Sequence, residues 1–166
     1  MPSNRPSVRP TADHAGGSGG GGSGGGWVTA LVPEWIARRG LEITVRAPER
    51  IVVGDRQPIV VSVRNRLPVP VAFSLPTGRL WGWAVDGVPE ADRRGFEPPA
   101  ADRRLALSRG ERRVFSAEWD GRFRESGTNG DVWRAAPGTY TLTGYLAFDR
   151  WDERGLYAER TVTVVE

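Results

Sequence analysis

From Leu41 onward, apolar residues recur at every second position. Leu41, Ile43 and Val45 alternate with Glu42, Thr44 and Arg46, and Ile59, Val61 and Val63 alternate with Val60, Ser62 and Arg64. Val69, Val71, Phe73 and Leu75 form one face of the next run, and Trp81, Trp83 and Val85 one face of the run after it. Leu105 and Leu107 follow, then Phe115, Ala117 and Trp119. Tyr140, Leu142, Leu146 and Phe148 come next, and Val162 and Val164 close the series. A period of two is that of a strand with one face buried and one in water. Turn signals separate the runs: Val53-Gly54-Asp55, Leu67-Pro68, Pro76-Thr77-Gly78, Asp86-Gly87, Arg109-Gly110, Pro137-Gly138 and Arg154-Gly155. Short alternating strands with no helices between them predict an all-β fold. The expected form is an antiparallel Ig-like two-sheet β-sandwich of about 7–8 strands.

Before Gly40 the pattern changes. Pro33 to Gly40 reads as a short helix, with Pro33 at its first position, Glu34 at its positive end, Arg38 and Arg39 at its negative end and Gly40 as the stop. Trp27, Leu31 and Trp35 fall four apart, so residues 27–40 are expected to cap one end of the domain. Ala15 to Gly26 holds nine of the 22 glycines and, with the polar stretch before it, is expected to be a disordered tail and linker over residues 1–26. The sandwich domain then covers residues 41–166.

Two stretches interrupt the strand rhythm. Val88 to Ala101 is rich in proline and charge, with Phe96 at its centre. Gly121 to Ala136 is longer and carries Arg122, Phe123, Arg124, Trp133 and Arg134. Arginine and large aromatics dominate the energetics of protein interfaces, so these five residues are the candidate protein-binding loop. Gly127, Asn129 and Gly130 give that loop a flexible tip. Its bland alternative is an insertion whose Phe123 and Trp133 fold back on the sandwich edge.

Composition removes whole classes of chemistry. The 166 residues contain no Cys and one His, His14, in the tail, and every basic residue is Arg. Without Cys there is no disulfide, zinc ribbon, iron–sulfur cluster or thiol nucleophile. Without Lys there is no phosphate-loop lysine or Schiff base. The matches to a nucleophile elbow in the glycine tract follow no strand and open no helix. Asp120, Asp149, Asp152 and Glu153 lie near strand ends without calcium-loop spacing, and salt bridges to Arg150 and Arg154 are the expected fate of that group. The sequence therefore predicts a non-enzyme, with no catalytic residue, cofactor or metal.

The net charge is +3, from 23 basic and 20 acidic residues of interspersed sign, which is a solvated surface and not a nucleic-acid footprint. No run is long and apolar enough for a membrane helix, and no apolar segment near the N-terminus reads as an export signal, so a cytoplasmic location is expected as written. Of seven Trp, Trp81, Trp83 and Trp119 occupy core-facing strand positions, whereas Trp133 and Trp151 lie in or beside loops, where they could be exposed contacts.

The order of short motifs carries a resemblance. Val61-Ser62-Val63-Arg64-Asn65 is followed by Pro70-Val71-Ala72-Phe73, Pro76-Thr77-Gly78-Arg79 and Trp81 to Gly87. Leu107-Ser108-Arg109-Gly110-Glu111, Phe115 to Gly121 and Pro137-Gly138-Thr139-Tyr140-Thr141 complete the series. This order resembles the intracellular proteinase inhibitor (BsuPI-like) family over about Ile59 to Leu146. The Pro-rich stretch after Asp86-Gly87 and the length of Gly121–Ala136 depart from it. The resemblance implies an Ig-like sandwich, a Tyr140 placed as a tyrosine corner, and a protein partner, in concrete form a serine protease. The competing expectation is a structural or carbohydrate-binding module on a glycine tether. The oligomeric state is left open.

Overall fold

The computed structural model describes residues 32–95 and 97–166. The tail over residues 1–26, the stripe residues Trp27 and Leu31, and Phe96 lie outside the described residues. A helix α1 (Glu34–Arg39) precedes twelve strands: β1 (Leu41–Arg46), β2 (Arg50–Val52), β3 (Gln57–Asn65), β4 (Val71–Thr77), β5 (Trp81–Val85) and β6 (Val88–Pro89), then β7 (Ala100–Leu107), β8 (Arg112–Trp119), β9 (Arg122–Gly127), β10 (Gly130–Ala135), β11 (Gly138–Leu146) and β12 (Tyr157–Val165).

Eight of these strands make an antiparallel Ig-like sandwich, the fold class the alternation predicts. One sheet is ordered β1-β3-β8 and the other β2-β12-β11-β5-β6. All pairings within them are antiparallel except that of β2 with β12, which is parallel. The remaining strands form two separate pairs, β4 with β7 and β9 with β10. Asp86-Gly87 is a two-residue turn between β5 and β6, with φ 46 and 77. Both positive values are what a type I′ hairpin demands, and Asp-Gly supplies them at low cost.

The apolar alternation becomes two adjoining cores. Between the sheets pack Val45, Ile59, Val61, Trp83, Val85, Trp119, Leu142, Val162 and Val164. The facing sheets approach so closely at Gly144 that a Cβ there would lie 2.4 Å from Val61 Cγ2. Toward one end, Val63, Val71, Phe73, Leu75, Leu105, Leu107 and Leu146 form a second cluster. Fully buried Asn65 joins this region to the sandwich. Its side-chain amide donates to the carbonyls of Val69 (2.8 Å), Ser108 (3.0 Å) and Leu107 (3.3 Å), and its Oδ1 accepts from the Leu67 amide (3.0 Å). A buried amide is stable only when it is satisfied in this way.

Several expectations need correction. Arg50–Val52, not among the alternating runs, is a strand that pairs in parallel beside β12. Pro76-Thr77 is not a turn, since β4 runs on to Thr77 through a register shift after Leu75, where proline's missing N–H costs no ladder bond. Trp35 does not cap the domain, being 60% exposed with Arg39 over its ring, while Ala37 is the helix residue that enters the second core. Trp151 is not a free contact either: its ring stacks on Tyr145 at 4.2 Å.

Candidate functional site

The interruption at Gly121–Ala136 is a β-hairpin, not a flexible loop. β9 and β10 pair from Arg122↔Ala135 to Gly127↔Gly130, which leaves a two-residue connection, Thr128-Asn129. The glycines that suggested mobility sit at the closing pair. There the backbone is so tight that a Cβ on Gly127 would lie 2.8 Å from the Gly130 carbonyl oxygen.

Core aromatics pin both strands of the hairpin at its base. Trp119 Nε1 donates to the Arg122 carbonyl at 2.8 Å, and Tyr140 Oη donates to the Ala136 carbonyl at 2.8 Å. The second bond is the tyrosine-corner geometry, a phenol returning to the backbone a few residues upstream. Strand alternation then divides the five candidate residues. Phe123 faces inward, 1% exposed, against Trp119 (5.8 Å) and Tyr140 (5.4 Å). It belongs to the core and is unavailable as a contact. Trp133, on the other strand, is 51% exposed. Its register partner Arg124 places a guanidinium over its ring at 5.6 Å. Arg122 lies beside Asp120, and Arg134 beside Glu125 at 3.0 Å.

The Pro-rich stretch braces this hairpin from the side. The Arg124 amide donates to the Ala91 carbonyl and the Arg93 amide to the Arg124 carbonyl, both at 2.8 Å. Glu90 and Ala91 hold φ 51 and 53, a left-handed conformation that costs about 1–2 kcal/mol per non-glycine residue. Around these bonds Asp131 takes Arg94 and Arg124, Glu125 takes Arg93 and Arg134, and Asp92 takes Arg94 at 2.6 Å. The hydrogen bonds from Arg94 hold the Asp92 carboxyl below the usual carboxylate range. Each exposed ion pair is worth little, about 0–1 kcal/mol. The pinned base and buried Phe123 therefore supply most of the hairpin's anchoring, and the charges set its direction.

Beside the hairpin a groove of about 980 Å³ opens between the two sheets, where β8 ends one sheet and β5 of the other is covered only at Ala84 and Val85 by the short β6. Trp81, Trp83, Phe115, Ala117 and Trp119 line it. Trp81 stacks on Phe115 at 5.6 Å and Trp83 meets Trp119 at 6.2 Å. Arg122 and Trp133 line it on the hairpin side, and Arg79 and Arg103 also face it. Three of its arginines pair with carboxylates: Arg56 with Glu118, Arg79 with Glu90 and Arg122 with Asp120. Aromatic surface fringed by guanidinium groups is binding chemistry.

Phe115, Ala117 and Trp119 read correctly as an inward face, but alternation alone does not reveal that β8 is an edge. The groove, Arg103 and the brace at Asp92–Arg94 were therefore missed by sequence reasoning. Among the described residues, no group of three or more His, Asp or Glu side chains is placed to hold a metal ion. Asp149 and Glu153 instead lie beside Arg150. No helix among the described residues is long and apolar enough to cross a membrane.

Comparison with known proteins adds a family. No curated protein matches the chain. Among solved structures, it is similar to a CARDB domain from Pyrococcus furiosus determined with di-metal ions. That match has 15% identity and a TM-score of 0.46, and covers 75% of this chain and 87% of that one. It is also similar to a β-glucosidase from Listeria innocua in complex with gluconolactone, at 13% identity and a TM-score of 0.45. There 76% of this chain covers only 16% of the glucosidase. The profile of a family of unknown function (DUF7974) matches residues 29–165, and the chain belongs to that family.

Proposed function

We propose that this DUF7974 domain is a non-enzymatic protein-binding module whose contact surface is the β9–β10 hairpin together with the aromatic groove beside it. The observation that carries this reading is Trp133. A half-exposed tryptophan stands at a groove lined by further aromatics, on a hairpin whose two strands are both pinned at the base. Large aromatics held rigid in advance lose little entropy on docking, which is what an interface anchor requires.

The order of motifs that resembles the BsuPI-like inhibitors makes a serine protease the concrete candidate partner. Residual activity of a subtilisin-type protease, measured at stoichiometric protein, tests that finer reading. Inhibition with an intact hairpin supports it, and full protease activity removes it.

The broader reading is tested by placing a photo-crosslinking amino acid at Ala135, which is exposed and shares the face of β10 that carries Trp133, in the native cell. A discrete protein adduct that disappears with Trp133→Ala is the expected result. An adduct indifferent to Trp133, or none, contradicts it. The exposed Trp133 ring also suits stacking on a sugar. Polysaccharide titration followed by tryptophan fluorescence distinguishes that second reading.

A further inference from the structure

The groove's shape and its unbalanced charge say more about what would fill it. β8 pairs on one side only, with β3, and its other edge borders the groove. Between Phe115 and Trp119 that edge runs about 13 Å, enough for roughly four residues of an added strand. An edge strand with free backbone donors and acceptors is a template for pairing. Nothing among the described residues takes that role. β7, which precedes β8 in the chain, pairs with β4 instead.

The lining charges are Arg56, Arg79, Arg103 and Arg122 against Glu90, Glu118 and Asp120. Each carboxylate has an arginine within salt-bridge distance, which leaves Arg103 over. Its guanidinium donates to the Gly78 carbonyl at 3.1 Å and has no carboxylate partner among the described residues. A guanidinium beside aromatic surface that has donors left over and no carboxylate partner selects a carboxylate borne on an apolar segment. The chain's own tail is a poor occupant, because Arg5 and Arg9 outnumber Asp13.

We propose that the groove binds an extended acidic peptide segment of another protein. The segment adds as a strand to β8, its apolar side chains lying on the partly exposed rings of Trp81 and Phe115 and a carboxylate meeting Arg103. Recognition of this kind takes affinity from main-chain bonds and specificity from alternate side chains. The inference rests on the protein-binding reading and specifies the partner's conformation and charge.

The test is a fluorescence titration of the full chain with short peptides of alternating valine and glutamate. The glutamate peptide is expected to bind and a lysine counterpart to bind at least about tenfold more weakly. Arg103→Glu is expected to reverse that order. Methylating alternate peptide nitrogens, which removes the main-chain donors, is expected to abolish binding. Equal binding of both charges, indifference to methylation, or no binding by the full chain would each overturn the proposal. So would a peptide-free dimer that Arg103→Glu dissolves, since it would assign the groove to a second copy. An Ala135 adduct that persists while the peptides fail would remove the acidic strand and leave the protein-binding reading intact.

Discussion

Between the sheets, Trp83, Trp119, Val61 and Leu142 are surrounded by apolar neighbours, and the indole N–H of Trp119 has its partner in the Arg122 carbonyl. In the adjoining hairpin, Phe123 alone enters that core, while the six residues of β10 are exposed and its charges are arranged in pairs. The first region is held by area removed from water and resists any loss of volume. The second is held at its base and by one buried ring, so its outer face is free to change. That division lets a stable domain tolerate change on the outer face of the hairpin.

Substitutions on the two sides of this division should differ widely in cost. Trp119→Ala removes a core ring and the bond to Arg122, and is expected to cost about 3–5 kcal/mol in denaturant unfolding. A cost under about 1 kcal/mol would mean that this face is not core. Asn65→Ala deletes four hydrogen bonds and leaves buried carbonyls unpaired, for an expected loss of about 2–3 kcal/mol by the same measurement. Tyr140→Phe keeps the ring and removes only the bond to Ala136, so about 1 kcal/mol is expected. Proteolysis at the hairpin should rise with that variant if the bond pins its end.

The smallest effect is a pH dependence. The Asp92 carboxyl sits below its ordinary value because Arg94 hydrogen-bonds its charged form. Its contribution is therefore complete above the unfolded value, near pH 4, and is lost as the pH falls through the lower folded value. The Trp133 indole resonance should stay constant down to about pH 4 and shift below it. Asp92→Asn should remove that step. An unchanged step in Asp92→Asn would place the titration elsewhere.

Much of the fold was legible because each buried strand face repeats with period two. Phe115, Ala117 and Trp119 read correctly as one face, as did Val162 and Val164. The hairpin was not legible as strands. Along β9 the residues are Arg-Phe-Arg-Glu-Ser-Gly, with one apolar side chain to signal a buried face. Exposed β10 has no buried side at all. Asn129-Gly130 is present, but the Asn closes the two-residue turn Thr128-Asn129 and the Gly opens β10, so the pair is displaced by one from the Asn-Gly loop that usually announces such a connection. Of the five candidate residues, Trp133 and Arg122 reach the groove, and Arg124 and Arg134 support the hairpin. Phe123 belongs to the core. Alternation within β9 makes that separation, once the strand is known. Arg103 carried no signal, since pairing depends on which carboxylates the topology brings near.

On the proposed reading Trp133 is kept for contact and not for stability. Comparing Trp133→Ala with the native chain in thermal unfolding and in Ala135 crosslinking tests both halves at once. The expected result is a Tm changed by no more than about 2 °C together with loss of the protein adduct. A Tm lowered by many degrees with the adduct retained would place Trp133 in the fold's support and contradict the claim.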